Sequence, residues 1–291
     1  MAAASLDAAV TADTSASSTM IYVFVFAHPD DESMFFLPTI RSLIDGGKTV
    51  WLLCLTTGNY DRLGKIREKE MTEVGKMLGI SKVIIRDNND NMQDHPTERW
   101  NKTVVATAIK DSLDQLEQNH DNQYVLITFD ALGISGHVNH IDTYYGVCHL
   151  MKEQHEQREQ YLKSKAATAV ETKEEKLQIL EAWQLESEGN LLCKYIPVLS
   201  WILLMISFFN TKIITFTSTK DTPKNKNSVR VYRMHNPVLN WKAMAMHHSQ
   251  FVWYRRLFVV FSCYTYYNKL TLISRIAAEL RSNNTKSIKE K

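Results

Sequence analysis

Two short clusters in this 291-residue sequence hold residue types that activate water. His28, Asp30 and Asp31 stand together in Ala27-His-Pro-Asp-Asp-Glu32, and His137 and His140 stand three apart in Gly136-His-Val-Asn-His140. His28, Asp31 and His140 make a nitrogen, oxygen, nitrogen donor set. Three protein ligands leave a position for water, which is the arrangement of a catalytic zinc and not of a closed structural one. A metal so held lowers the pKa of water and polarises a carbonyl oxygen. Asp30, beside Asp31 and behind the restraining Pro29, can then take a proton from that water. His137 can stabilise or protonate a tetrahedral intermediate. Each cluster alone also has a plainer reading. Carboxylates ahead of Ser33 favour a helix N-terminus, and two histidines at this spacing are often core or surface residues.

Their positions relative to the predicted elements distinguish the two readings. Ile21 to Phe26, Thr49 to Leu55, Lys82 to Ile85 and Tyr124 to Phe129 are nearly continuous apolar runs, as strands buried on both faces should be. Between them, Met71, Val74, Met77 and Leu78 share one helical face, with Gly79 as the expected stop, and Val105, Ala108, Ile109, Leu113 and Leu116 share another. Strand and helix alternate four times, which predicts an open, mostly parallel α/β sheet flanked by helices. The polar clusters follow these strands: Ala27 to Glu32, Thr56 to Asn59, Asp87 to Asn91, and Asp130 with Gly136 to His140. All lie at strand carboxyl ends, where open α/β sheets bind ligands at a topological switch point.

The remainder of the chain is read more coarsely. Residues 1–20 are small and polar, without the basic and apolar regions of a secretory signal, and are expected to form a disordered tail. Residues 21–155 are expected to form the catalytic α/β domain. Residues 156–190, rich in Glu, Lys and Gln, are expected to form a charged helical insertion and a return to the sheet. Residues 191–291 form an apolar and aromatic region expected to complete the fold and contact membrane. Within it, Tyr195 to Thr211 carries no charge. That stretch is at the short end for a membrane span and suits a core or interfacial helix equally well. A formal charge of +2 gives no evidence of a nucleic-acid-binding face. The widely spaced Cys54, Cys148, Cys193 and Cys263 read as reduced thiols in a reducing compartment. No G-x-G-x-x-G follows the first strand and no G-x-S-x-G appears, which argues against a dinucleotide fold and a serine hydrolase.

At His28-Pro29-Asp30-Asp31-Glu32 and His137-x-x-His140 the sequence resembles the zinc-dependent de-N-acetylases of the LmbE-like superfamily. Within it, the likeness is to the GlcNAc-phosphatidylinositol de-N-acetylase (PIG-L) family. It extends through Thr57-Gly58-Asn59, Arg67, Glu70 and Met71, through Phe129 to His140, through Lys194-Tyr195, and through His248 to Arg255. The resemblance implies a Rossmann-like sheet and a divalent metal, with Zn2+ as the default, held by His28, Asp31 and His140. It implies Asp30 as general base, His137 as oxyanion stabiliser, and Arg67 and Asp90 as sugar-binding residues. For Arg67, an exposed helix face is the plainer reading. The implied reaction is hydrolysis of GlcNAc-phosphatidylinositol to glucosaminyl-phosphatidylinositol and acetate, the second step of GPI-anchor synthesis. The implied setting is the endoplasmic reticulum membrane, with the catalytic domain on its cytoplasmic face. A de-N-acetylase of a soluble N-acetyl sugar and a catalytically silent membrane scaffold are the alternatives. Asn139 stands where many relatives carry Asp. Animal and yeast members begin with an apolar anchor absent from this sequence, which leaves the mode of membrane attachment open.

Overall fold

The computed structural model describes residues 19–86, 92–115, 122–167, 178–196 and 229–273. The expectations for the 1–20 tail (but for its last two residues), for Leu116 and Asp90, and for the uncharged stretch from 197 to 211 therefore lie outside the described residues.

The chain opens with β1, Met20–Phe26, in which only Met20 is exposed. A single π-helical turn, Glu32–Phe36, runs into α1, Leu37–Asp45. Then come β2, Thr49–Cys54, α2, Gly64–Leu78, and β3, Lys82–Ile85. They are followed by α3, Lys102–Asp114, and β4, Gln123–Thr128. A short turn, α4, Gly133–Gly136, precedes the long α5, Val138–Ala167. Next are β5, Gln178–Leu185, and α6, Leu191–Tyr195. The C-terminal part supplies β6, Val229–Arg233, α7, Val238–Met246, α8, Trp253–Phe261, and β7, Tyr267–Leu272.

The seven strands form one sheet in the order β3-β2-β1-β4-β5-β7-β6. The pairings from β3 across to β5 are parallel, whereas β7 pairs antiparallel with both β5 and β6. The apolar runs of the inner strands follow from burial on both faces. Phe24 and Phe26 of β1 join Phe36, Leu37, Ile40 and Met71 on one side. Val23 and Val25 join Leu53, Val105, Ile109 and Val147 on the other.

Among the described residues the predicted helix faces hold with one difference: Met71, Val74 and Leu78 are buried, but Met77 is exposed. The contact surface of α2 is narrower than the apolar pattern indicates. Gly79 ends α2 with φ 79°, the left-handed conformation that favours glycine. The antiparallel β6–β7 addition is absent from the sequence reading. No helix among the described residues is long and apolar enough to cross a membrane.

After β1 the chain moves to β2 on one side and later returns to β4 on the other. The carboxyl ends of β1 and β4 thus flank the switch point, and the His28 and His140 segments both start there.

Candidate active site

β1 ends at Phe26, and the next five residues turn sharply before the π-helical turn begins. Asp30 sits in that turn at φ 124°, a region L-residues rarely adopt. Glu32 holds the strained peptide: its Oε2 accepts from the Asp30 amide at 3.1 Å, and its Oε1 accepts from Ser33 Oγ at 2.7 Å. His247, reached from the end of α7, meets Glu32 Oε1 at 2.6 Å, and both side chains are fully buried. Burial opposes charge on either partner. Each one's charge and hydrogen bond outweigh it, so Glu32 lies below and His247 above the usual value.

Asp31 is anchored in the opposite sense. Its Oδ2 accepts from the amides of Ala27 and His28, at 3.2 and 2.9 Å, and lies 3.6 Å from His28 Nδ1. Its Oδ1 faces His140 Nε2 at 3.2 Å. The His140 ring stacks on Phe129 with centroids 4.0 Å apart. Its Nδ1 sits 3.2 Å from the Gly133 carbonyl, the tautomer-fixing bond that leaves Nε2 for a ligand. His137 accepts the Asn139 amide at Nδ1, 3.3 Å, which puts its own proton on Nε2. The three rings face one another: His28 and His137 centroids are 4.8 Å apart, and His137 and His140 4.9 Å.

The nitrogens of His28, His137 and His140 all lie within 4.8 Å of one another, and Asp31 Oδ1 is 3.2 Å from His140 Nε2, so three imidazoles and a carboxylate converge on one space. The acidic neighbours set the charge of these rings. Burial disfavours a charged His28, yet hydrogen bonds with Asp31 and with Asp94, the latter 3.1 Å from Nε2, push its pKa up to about 10. Asp31 is held well below the carboxylate range: burial opposes this, but the charge of His140 prevails. Asp94 is likewise lowered to about 2, burial being outweighed by its bond with His28. His137, by contrast, is pushed down to about 4 by burial and by the neighbouring His28 and His140 charges. Two ionised carboxylates around facing imidazoles fit a divalent metal.

Two arginines hold the carboxylate of Asp30, which stands between His28 and Asp31 in the chain. Arg67, on α2, donates from Nη2 to the Pro29 carbonyl at 2.8 Å and to Asp30 Oδ1 at 3.4 Å. It also donates from Nη1 to the Gly58 carbonyl at 3.0 Å. Arg67 is 7 % exposed, so it does not lie on the exposed helix face that was the plainer reading. Gly58, at φ 68°, makes room for it, since a Cβ there would stand 2.5 Å from the guanidinium carbon. Arg255, on α8, brings Nη1 within 3.2 Å of Asp30 Oδ2. None of the described residues donates an aligned hydrogen bond to that oxygen, although it is buried.

His28, Asp30, Asp31, His137, His140 and Arg67 are therefore brought together, whereas Asp90 lies outside the described residues. Sequence reasoning missed Asp94, Arg255 and His247. Asp94 lies 3.7 Å from Arg67 Nη1 as well as beside His28. For Arg255 and His247 the available signal was their place in or beside the C-terminal block of likeness, with no role attached.

A family model described as GlcNAc-PI de-N-acetylase (PIG-L) matches residues 23–151. A probable N-acetylglucosaminyl-phosphatidylinositol de-N-acetylase of Dictyostelium discoideum is 32% identical over 269 residues, covering 87% of this chain and 95% of the relative. The N-acetylglucosaminyl-phosphatidylinositol de-N-acetylase of Bos taurus is 33% identical over 253 residues, covering 86% and 83%. Among solved structures, the zinc-inhibited form of teicoplanin deacetylase Orf2 matches with a TM-score of 0.50 at 12% identity. The match covers 87% of this chain and 97% of that one, and is a likeness of fold alone.

Proposed function

Because the chain belongs to the GlcNAc-phosphatidylinositol de-N-acetylase (PIG-L) family, and is thus an amide hydrolase, we propose that its substrate is GlcNAc-phosphatidylinositol and its products glucosaminyl-phosphatidylinositol and acetate. The observation that carries the reading is Asp30. A strained, buried carboxylate, clamped by Arg67 and Arg255, stands in the same turn as His28, whose ring belongs to a cluster of imidazoles at the sheet's switch point. His28, Asp31 and His140 would hold a divalent ion, zinc by default for this donor set, which would supply Lewis acidity to the acetyl carbonyl and acidify water.

The chain's own residues do the rest. Asp30 accepts the proton of the attacking water at Oδ2, the oxygen without an aligned donor. His137 is neutral at physiological pH and carries its proton on Nε2, so it donates to the oxyanion without bringing a second positive charge into the cluster. As the C–N bond breaks, the proton held by Asp30 passes to the amine nitrogen, leaving acetate and the free amino sugar. Arg67 keeps Asp30 in place and, beside Asp94, offers polar groups that can bind sugar hydroxyls. We take the setting to be the cytoplasmic face of the endoplasmic reticulum membrane, to which the four free cysteines are suited.

The test is acetate release from GlcNAc-phosphatidylinositol in detergent, comparing wild type, chelator-treated, zinc-restored and Asp30→Asn protein. We expect Asp30→Asn to fold and to lose ~10²–10⁴-fold in turnover, as removal of a general base does. Near-normal turnover in that variant would remove Asp30 from the role of base. Well-folded, metal-loaded wild type that releases no acetate would move the substrate to another N-acetyl sugar.

A further inference from the structure

α8 has two unlike faces. Val259 is buried, and Phe258 packs its ring edge-on against Phe35, 5.5 Å between centroids. Arg255 points inward to Asp30. The opposite side carries Trp253, Leu257, Val260 and Phe261 at i, i+4, i+7 and i+8, all exposed, with Tyr254 beside them. Trp253 is 72% exposed, an unusual state for a residue that is highly buried on average. A run of large apolar side chains on one helix stripe marks an interaction surface. Arg256 stands exposed at the edge of the stripe.

The patch continues onto α6. Tyr195 meets Phe258 with ring centroids 6.4 Å apart, and Leu191, Leu192, Tyr195 and Ile196 are exposed. The described chain leaves α6 at Ile196, and the sequence continues uncharged to Thr211. Charge points to the occupant. From Thr222 to Ala278 the sequence carries nine Lys and Arg and no Asp or Glu, although the whole chain is nearly neutral. Tryptophan and tyrosine beside arginine, over aliphatic side chains and without acidic residues, suit the boundary between lipid headgroups and acyl chains.

We propose that α8 is an interfacial helix, its Trp253–Leu257–Phe261 stripe seated in an anionic lipid surface with the exposed side chains of α6 alongside. Arg255 belongs to the same helix as that stripe, so docking holds the Asp30 end of the site against the layer that carries a lipid substrate. The proposal deepens the reading of a lipid-borne GlcNAc substrate and rests on it for the position of the site. The surface itself is tested separately.

The probe is full-length protein mixed with phosphatidylcholine vesicles containing phosphatidylinositol, with some acyl chains brominated to quench nearby tryptophan. Wild type should be quenched, and Trp253→Phe should lose a large share of that quenching. Equal quenching in the two proteins would overturn the proposal, as it would if residues 197–211, and not lipid, covered α8. As a second measurement, Leu257→Gln/Phe261→Gln should lose at least tenfold in acetate release from GlcNAc-phosphatidylinositol in vesicles. The same variant should retain turnover on the deacylated, water-soluble headgroup. Undiminished vesicle turnover in the folded variant would also overturn it. If wild type hydrolysed neither substrate, the substrate reading would fail, while the Trp253 quenching would still decide whether α8 meets lipid.

Discussion

Asp30 holds a backbone conformation with φ 124° in a buried turn, and such strain persists only where the surroundings over-determine it. Here the surroundings are Glu32 on its amide and two guanidiniums on its carboxylate. Arg67 is the more constrained of the two, since its planar fork serves the Gly58 and Pro29 carbonyls as well as Asp30. Lysine keeps the charge but cannot span these acceptors from one nitrogen. Arg67→Lys is therefore expected to lose about tenfold or more in kcat, or about 1.4 kcal/mol of transition-state stabilisation, with the circular dichroism of the wild type. Gly58→Ala should act through the same group, because its Cβ would displace the guanidinium. In a double-mutant cycle, adding Gly58→Ala to Arg67→Lys should change kcat by much less than adding it to wild type. Additive losses would show that Gly58 serves something other than Arg67. At this scale the sequence was informative where the chemistry is local: His28, Asp30 and Asp31 share one turn, and His137 and His140 one helix start. Asp94 and Arg255 were not legible, because each acquires meaning only from a side chain far away in the chain.

Among the elements, the π-helical turn Glu32–Phe36 bears the most polar burden. Glu32 joins the strained Asp30 amide to His247 at the end of α7, and Glu70 of α2 accepts from the amide and hydroxyl of Ser249 at 2.8 and 2.6 Å. Two carboxylates on N-terminal elements thus grip the segment joining α7 and α8. Removing one member of a buried ion pair strands the other, so Glu32→Gln should lose roughly 3–5 kcal/mol near pH 6 by denaturant unfolding. The pH dependence has a definite sign. His247 is raised above its ordinary 6.5, so its contribution is present below that value and is lost as pH rises through the folded-state pKa. Glu32 is lowered below its ordinary 4.5, so its contribution is present above that value and is lost as pH falls through the folded-state pKa. The stability gap between wild type and Glu32→Gln should therefore be widest between about pH 4.5 and 6.5 and shrink on either side. A gap that grew steadily into alkali would contradict a charged pair. A sequence reading leaves Glu32 as a helix-start acid and His247 as one of several structural histidines, since nothing local links positions 215 residues apart.

On the scale of the whole molecule, the site is split between a parallel sheet and a C-terminal extension. The family match at residues 23–151 covers the imidazole cluster and Asp30, but not Arg255, His247 or Ser249. The parallel half was legible because strands buried on both faces leave continuous apolar runs. β6 was not: it alternates exposed and half-buried residues as an edge strand does, and its partner β7 lies in an aromatic-rich region that suits several packings. Asn268 of β7 joins the halves. Fully buried, it accepts from the Thr39 amide at 3.1 Å and hydroxyl at 2.8 Å, and donates to the Phe35 carbonyl at 2.8 Å. Those partners flank the junction of the π-helical turn with α1, one turn beyond Asp30. Asn268→Leu would strand buried donors and an acceptor at roughly 1–3 kcal/mol each, whereas Lys269→Ala removes only a partly exposed ion pair with Glu186. Asn268→Leu is expected to lower the denaturation midpoint far more than Lys269→Ala. Below its own midpoint it should also lose turnover, because the support of the turn that strains Asp30 is loosened. If Asn268→Leu were destabilised but fully active while folded, the extension would stabilise the sheet without setting the geometry of the site. The extension would then reach the chemistry through side chains such as Arg255 and His247.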